Sequence, residues 1–118
     1  MPFVMKERPS YLWPIKFKIA ENGSFKEYDF EAEFRRLPRE RVDEIIISLA
    51  ARDENYTDKG IIREVLVGWK GVMDDKKKAI PFNEQNLDEL LSITGSPSPK
   101  SALIKQFFAS QVERLEKN

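Results

Sequence analysis

Hydrophobic and polar residues alternate from residue 11 to residue 35, and Asn22-Gly23 interrupts the alternation near its midpoint. Period-two runs on either side of Asn-Gly predict a β-hairpin closed by a two-residue turn. With Glu21 opposite Ser24, Trp13 faces Ala32, Ile15 faces Phe30 and Phe17 faces Tyr28 on one side of the ribbon. Lys16 then meets Asp29 and Lys18 meets Glu27 on the other. A slip of one residue would set aromatics against acids, so the pattern and the turn select the same register. A hairpin alone is marginal in water, so the face holding Phe17, Tyr28, Phe30 and Phe34 needs a cover.

Beyond Leu37 the apolar spacing changes to three and four, the helical interval. Pro38 suits a first helical turn, and Val42, Ile45, Ile46 and Leu49 form a stripe in a helix ending near Arg52. Thr57 or Asp58 caps a second helix, whose stripe of Ile61, Ile62, Val65, Leu66 and Trp69 ends at Gly71 and carries Trp69 into the core. Asn83 caps a short third helix with Leu87, Leu90 and Leu91 inside it, Phe82 placed as a hydrophobic staple and Gly95 as the stop. Gly95-Ser-Pro-Ser-Pro99 reads as the most linker-like stretch of the chain, and Ser98-Pro99 starts a last helix running towards Leu115. Leu103 and Phe107 follow one row of that helix with Ser110 or Gln111 and Arg114, and Phe108, Val112 and Leu115 follow a neighbouring one.

The expected fold is therefore α+β, with an N-terminal antiparallel β-hairpin packed against about four α-helices. Residues 1–118 are read as a single domain: a hairpin over 11–35, a helical core over 38–94 and a mobile C-terminal helix over 98–118. A wide apolar stripe beside a flexible joint makes Phe107, Phe108, Val112 and Leu115 the candidate partner-binding residues.

Composition narrows the chemistry. The 118 residues hold 20 Lys+Arg against 20 Asp+Glu, with neither Cys nor His. This length suffices for a core without disulfides or a structural metal. The missing side chains remove the usual zinc and haem ligands, thiol nucleophiles and the imidazole base of most hydrolytic triads. No Gly-rich phosphate cradle matches either the P-loop or the dinucleotide fingerprint. No catalytic residue, metal site or cofactor is expected, and the chain is read as a non-enzyme. Balanced charge in both halves gives no footprint for nucleic acid, and no run is long and apolar enough for a membrane span.

Three constellations have a chemical and a plainer reading. Asp74-Asp75-Lys76-Lys77-Lys78 could hold magnesium or phosphate, but adjacent opposite charges neutralise one another and a solvated turn is the better account. The row Glu27, Asp29, Glu31 and Glu33 is the outer face of a strand, with Lys16 and Lys18 already opposite. In Tyr11-Leu-Trp-Pro-Ile-Lys-Phe-Lys-Ile-Ala20, aromatics and lysines alternate, so they point to opposite faces and split any base-stacking platform.

Phe34-Arg35-Arg36-Leu37 leads into a helix, Val65-Leu66-Val67-Gly68-Trp69-Lys70-Gly71-Val72-Met73-Asp74 follows, and then come Ile80-Pro81-Phe82-Asn83 and Asn86-Leu87-Asp88-Glu89-Leu90-Leu91. This arrangement, most of all Gly-Trp-x-Gly-Val followed by Pro-Phe and a Leu-Leu helix, resembles the tail assembly chaperones of long-tailed bacteriophages and prophages. The resemblance covers most of the chain and departs from the family at Lys76 to Lys78, where a Gly-containing turn is expected. It implies a protein of the host bacterial cytoplasm that binds the tape measure protein, helps recruit tail tube protein during tail morphogenesis, and is absent from the mature virion. It also implies a longer frameshifted form with an added C-terminal domain, and leaves room for self-association. The alternative from another class is a small nucleic-acid-binding regulatory protein of a phage or prophage.

Overall fold

The computed structural model describes residues 1–112. Strands β1 (Ser10–Glu21) and β2 (Ser24–Arg35) form the hairpin, followed by helices α1 (Arg39–Ala50) and α2 (Asp58–Val65), strand β3 (Leu66–Lys70), and helices α3 (Glu84–Leu91) and α4 (Pro99–Ala109). The fold is α+β, a three-stranded antiparallel sheet in the order β1-β2-β3 with four helices.

The hairpin register is the one the alternation selects. Glu21 pairs with Ser24, Phe17 with Tyr28, Ile15 with Phe30 and Trp13 with Ala32. Asn22 and Gly23 both take positive φ, 48° and 87°, as a tight turn matched to the strand twist requires. Ile15, Phe17, Phe30, Ala32 and Phe34 are buried on the inner face, while Lys16, Lys18, Glu27, Asp29 and Glu31 are exposed on the outer one. The aromatics and lysines of β1 are thus separated by the sheet.

The second helix is shorter than its apolar stripe suggests. It stops at Val65, and Leu66–Lys70 extends into β3, with Trp69 opposite Ala32 and Lys70 opposite Glu31. The cause is tertiary: β2 offers a free edge whose backbone groups need partners, and Gly68 weakens a helix at this point. Gly68 also lies beneath the Glu33 side chain, where an added Cβ would come within 2.8 Å of its carboxylate. A register shift between Glu33 and Phe34 admits the strand. Gly71, at φ 88°, turns the chain out of β3 instead of ending a helix.

Other expectations shift by smaller amounts. Pro38 stands as the extended N-cap of α1, just ahead of the first turn. Val42 and Ile45 are buried and Leu49 half-buried, but Ile46 is exposed, because α1 packs along one narrow stripe and the next residue rotates out by about 100°. The Thr57, Asn83 and Ser98 side chains cap α2, α3 and α4 by accepting from Gly60, Asn86 and Ser101 N–H groups. Helix α3 ends at Leu91 with Ser92 as its C-cap, ahead of Gly95.

The largest difference concerns α4. Where the sequence suggests a flexible joint, Ser96 N–H donates to the Lys18 carbonyl and Lys18 N–H donates to the Pro97 carbonyl, both at 3.0 Å. The segment therefore pairs with the outer edge of β1. Gly95 fits there because a Cβ would stand 2.1 Å from the Lys18 carbonyl oxygen. Helix α4 then lies on the sheet, burying Pro99, Ala102, Leu103 and Phe107. It ends at Ala109, short of the expected Leu115, which lies outside the described residues along with Arg114.

Candidate functional site: an aromatic groove at the hairpin-turn end of the sheet

Helices α2 and α4 cover the sheet near the start of β1, where Phe34 and Phe107 meet edge to face at 5.4 Å between ring centroids. The Trp13 indole N–H donates to Gln106 Oε1 at 2.8 Å, and the Gln111 amide donates to the Tyr11 hydroxyl at 2.7 Å. This polar seam fixes α4 against β1. Phe107 is fully buried in the resulting core, so it has no surface to offer a partner. Phe108 is half-buried against Phe107, and Val112 is 52% exposed beside Lys105. Of the four residues the sequence suggests as a contact surface, only Phe108 and Val112 are therefore described and accessible.

Towards the hairpin turn, beyond α2 and α4, a groove of about 330 Å³ opens over the sheet. Phe17, Tyr28 and Phe30 form its floor, with Phe17 6.0 Å from each of the other two rings. Trp69 on β3 continues that floor, edge to face with Phe30 at 6.4 Å. One wall is the ribbon over residues 72–80, which supplies Val72, Met73 and Ile80. The other is α3 with the residues after it, supplying Leu90 and Ile93.

The walls are held from below. The Trp69 indole N–H donates to the Ile80 carbonyl at 2.8 Å, and its ring packs edge to face on Phe82 at 5.0 Å. The Asn86 amide donates to the Pro81 carbonyl at 2.9 Å, which ties the ribbon to α3. In the turn of the ribbon, Asp74 Oδ1 accepts from the Lys76 and Lys78 N–H groups. Lys77 takes φ 62° there, the left-handed conformation a glycine would supply more cheaply. Asp74 is thus committed to its own turn, and among the described residues no group of acidic side chains is placed to hold a metal ion.

The electrostatics of the groove are one-sided. Its carboxylate is Glu89 on α3, since Asp29 turns its side chain to the outer face of the sheet opposite Lys16, and no lysine or arginine lines it. The Tyr28 hydroxyl donates to both Glu21 carboxylate oxygens, at 3.0 and 2.9 Å. That hydrogen bond raises the tyrosine pKa, so Tyr28 stays a neutral donor at the rim. A concave, largely aromatic surface with Glu89 at its rim can take up apolar side chains from a neutral or basic segment.

Sequence reasoning marked Phe17, Tyr28 and Phe30 as needing cover but did not bring Trp69, Met73 and Ile93 to them. The exposed Met73 and the solitary Ile93 after α3 were the available signals. Among the described residues, no helix is long and apolar enough to cross a membrane. Comparison with protein-family models, curated proteins and solved structures found no match to the chain.

Proposed function

We propose that this protein acts by binding polypeptide, as a tail assembly chaperone of a long-tailed phage or prophage, and that the groove receives an apolar segment of the tape measure protein. The observation that carries this reading is the groove itself, where Tyr28 and the half-buried Trp69 stay accessible beside the buried Phe17 and Phe30 and apolar side chains form the walls. Apolar side chains on a long helical client would aggregate if left bare, and docking them in such a groove shields them reversibly. In this role the protein works in the host cytoplasm, and the tail tube protein joins through a longer product of the same gene. The motif Gly68-Trp69-Lys70-Gly71-Val72, on which the resemblance rests, supplies one end of the floor and the start of a wall.

Co-expression with the tape measure protein of the same phage tests the reading. The wild type should keep the tape measure protein in the supernatant and co-purify with it. The double variant Met73→Ser, Ile93→Ser changes two exposed groove residues and should lose most of that capture. Phe108→Ser, Val112→Ser, at the end of α4, should retain it. Loss of capture in the second variant with retention in the first would move the contact to α4, and no capture by the wild type would end the reading.

A further inference from the structure

Strand β3 covers only part of β2. It pairs with β2 from Phe34 to Glu31, and Gly71 then turns the chain away, so the stretch from Phe25 to Asp29 has β1 on one side and no strand on the other. Every residue from Ser24 to Asp29 is exposed. The two-residue turn decides which backbone groups are left over. With Glu21 and Ser24 as the hydrogen-bonded pair that closes it, the even-numbered residues of β2 bond to β1 and the odd-numbered ones face the other way. Glu31 and Glu33 use that direction to meet Lys70 and Gly68. Phe25, Glu27 and Asp29 present their N–H and C=O groups in the same direction, and among the described residues no backbone group bonds to them.

The opposite margin of the sheet is guarded. There Lys18 commits both backbone groups to Ser96 and Pro97, and Pro14 has no N–H to offer. The open stretch of β2 is flanked by hollows on both faces. The groove lies on the inner face, a shallow hollow of about 400 Å³ lies on the outer one, and the two share Asp29, Phe30, Gly71 and Met73. A strand laid about 4.8 Å from β2 would continue the line of β3 between them, with space for side chains on either side.

We propose that this margin of β2 takes up an extended segment of another protein as an added strand, and that the segment alternates basic and apolar residues. The alternation follows from the side chains it would meet. On the outer face Glu27 and Asp29 are exposed, and among the described residues neither forms an ion pair, so a basic residue belongs opposite each. Between them, the residue opposite Tyr28 enters the groove beside Met73 and is apolar. Lys26 calls for an acid and the exposed Phe25 for an apolar partner. Running antiparallel from Asp29 back to Phe25, the segment therefore reads basic, apolar, basic, acidic, apolar. The same charges disfavour a second copy, because two β2 margins laid side by side bring acid against acid. The proposal rests on the groove being a polypeptide-docking surface and holds whichever protein supplies the segment.

Amide exchange of the full chain, followed by NMR with the capped peptide TKVKEVT, is the test. At millimolar peptide, exchange at Phe25, Glu27 and Asp29 should slow at least about tenfold, while Lys26 and Tyr28, already bonded to β1, stay as they were. N-methylation of the two lysine amides of the peptide removes the groups that face β2 and should abolish the effect. N-methylation of its first valine and its glutamate instead alters groups that face away and should leave the effect intact. Glu27→Gln, Asp29→Asn should bind at least about tenfold more weakly and lose most of the response to salt; both sites are exposed, and a circular dichroism melt checks the fold. Unchanged exchange at the three odd-numbered residues, equal binding of the two methylated peptides, or a neutralised variant that binds as the wild type does would overturn the proposal. If the chain captures tape measure protein but fails these tests, the function reading stands without the added strand. If the alternating protection appears and no tape measure protein is captured, only the function reading falls.

Discussion

Replacing Phe107 with alanine asks whether α4 belongs to the core or hangs beside it. Phe107 is completely buried, with Phe34 at 5.4 Å and Phe108 at 5.5 Å. Transfer of a buried phenylalanine side chain is worth about 1.5–3 kcal/mol. The void left by the ring adds about 2 kcal/mol if some 80 Å³ stays empty at roughly 24 cal/mol per Å³. The total of about 4 kcal/mol falls within the range of about 3–5 kcal/mol seen for such truncations. A domain of this size has only about 6–18 kcal/mol to lose. Urea unfolding followed by tryptophan fluorescence should therefore show the midpoint falling steeply at an unchanged slope, and the melting temperature dropping by about 15 °C or more. Val112→Ser, at an exposed site, should stay within about 0.5 kcal/mol of wild type. A cost below about 1 kcal/mol for Phe107→Ala would mean that α4 is not packed as described.

Gly95→Ala should cost about 2–3 kcal/mol in the same assay, because the new methyl group forces the chain away from Lys18 and breaks two backbone hydrogen bonds, each worth about 1 kcal/mol and leaving a polar group unpaired. Amide exchange at Lys18 and Ser96 should accelerate together. The Arg41 guanidinium donates to both Glu64 oxygens, at 2.7 and 2.8 Å, and holds the Glu64 carboxyl below the usual carboxylate range. A lowered folded-state pKa means stability that is present above the unfolded pKa of glutamate and is lost as pH falls through the folded one. Glu64→Gln should thus cost about 1 kcal/mol at neutral pH, and the difference between variant and wild type should vanish in acid. A pH-independent difference would show that the pair acts through packing alone.

The hairpin is legible because two independent signals, the Asn-Gly turn and the alternation, fix one register. Helix starts are legible for a similar reason, since Thr57, Asn83 and Ser98 act on backbone N–H groups three residues away. Strand β3 is hidden because Leu66 and Trp69 continue the three-four spacing of α2, and only the unpaired edge of β2, a distant element, decides against the helix. Gly95-Ser-Pro-Ser-Pro99 reads as a linker by composition, whereas its glycine answers the closeness of the Lys18 carbonyl, which no local pattern encodes. The groove is less legible still. Its floor and walls come from five separated stretches of chain, so its aromatics can be named from sequence as needing cover, but the ribbon and helix that rise beside them cannot.

Pro9 bonded to Arg36 and Gln111 bonded to Tyr11 set the start of β1 and the residues after α4 side by side at one pole of the sheet, with the hairpin turn at the other. A fluorophore attached at Gln111 would sit at the pole away from the hairpin turn. A label there would report on the packing of α4 against β1 and leave the turn end of the ribbon unobstructed.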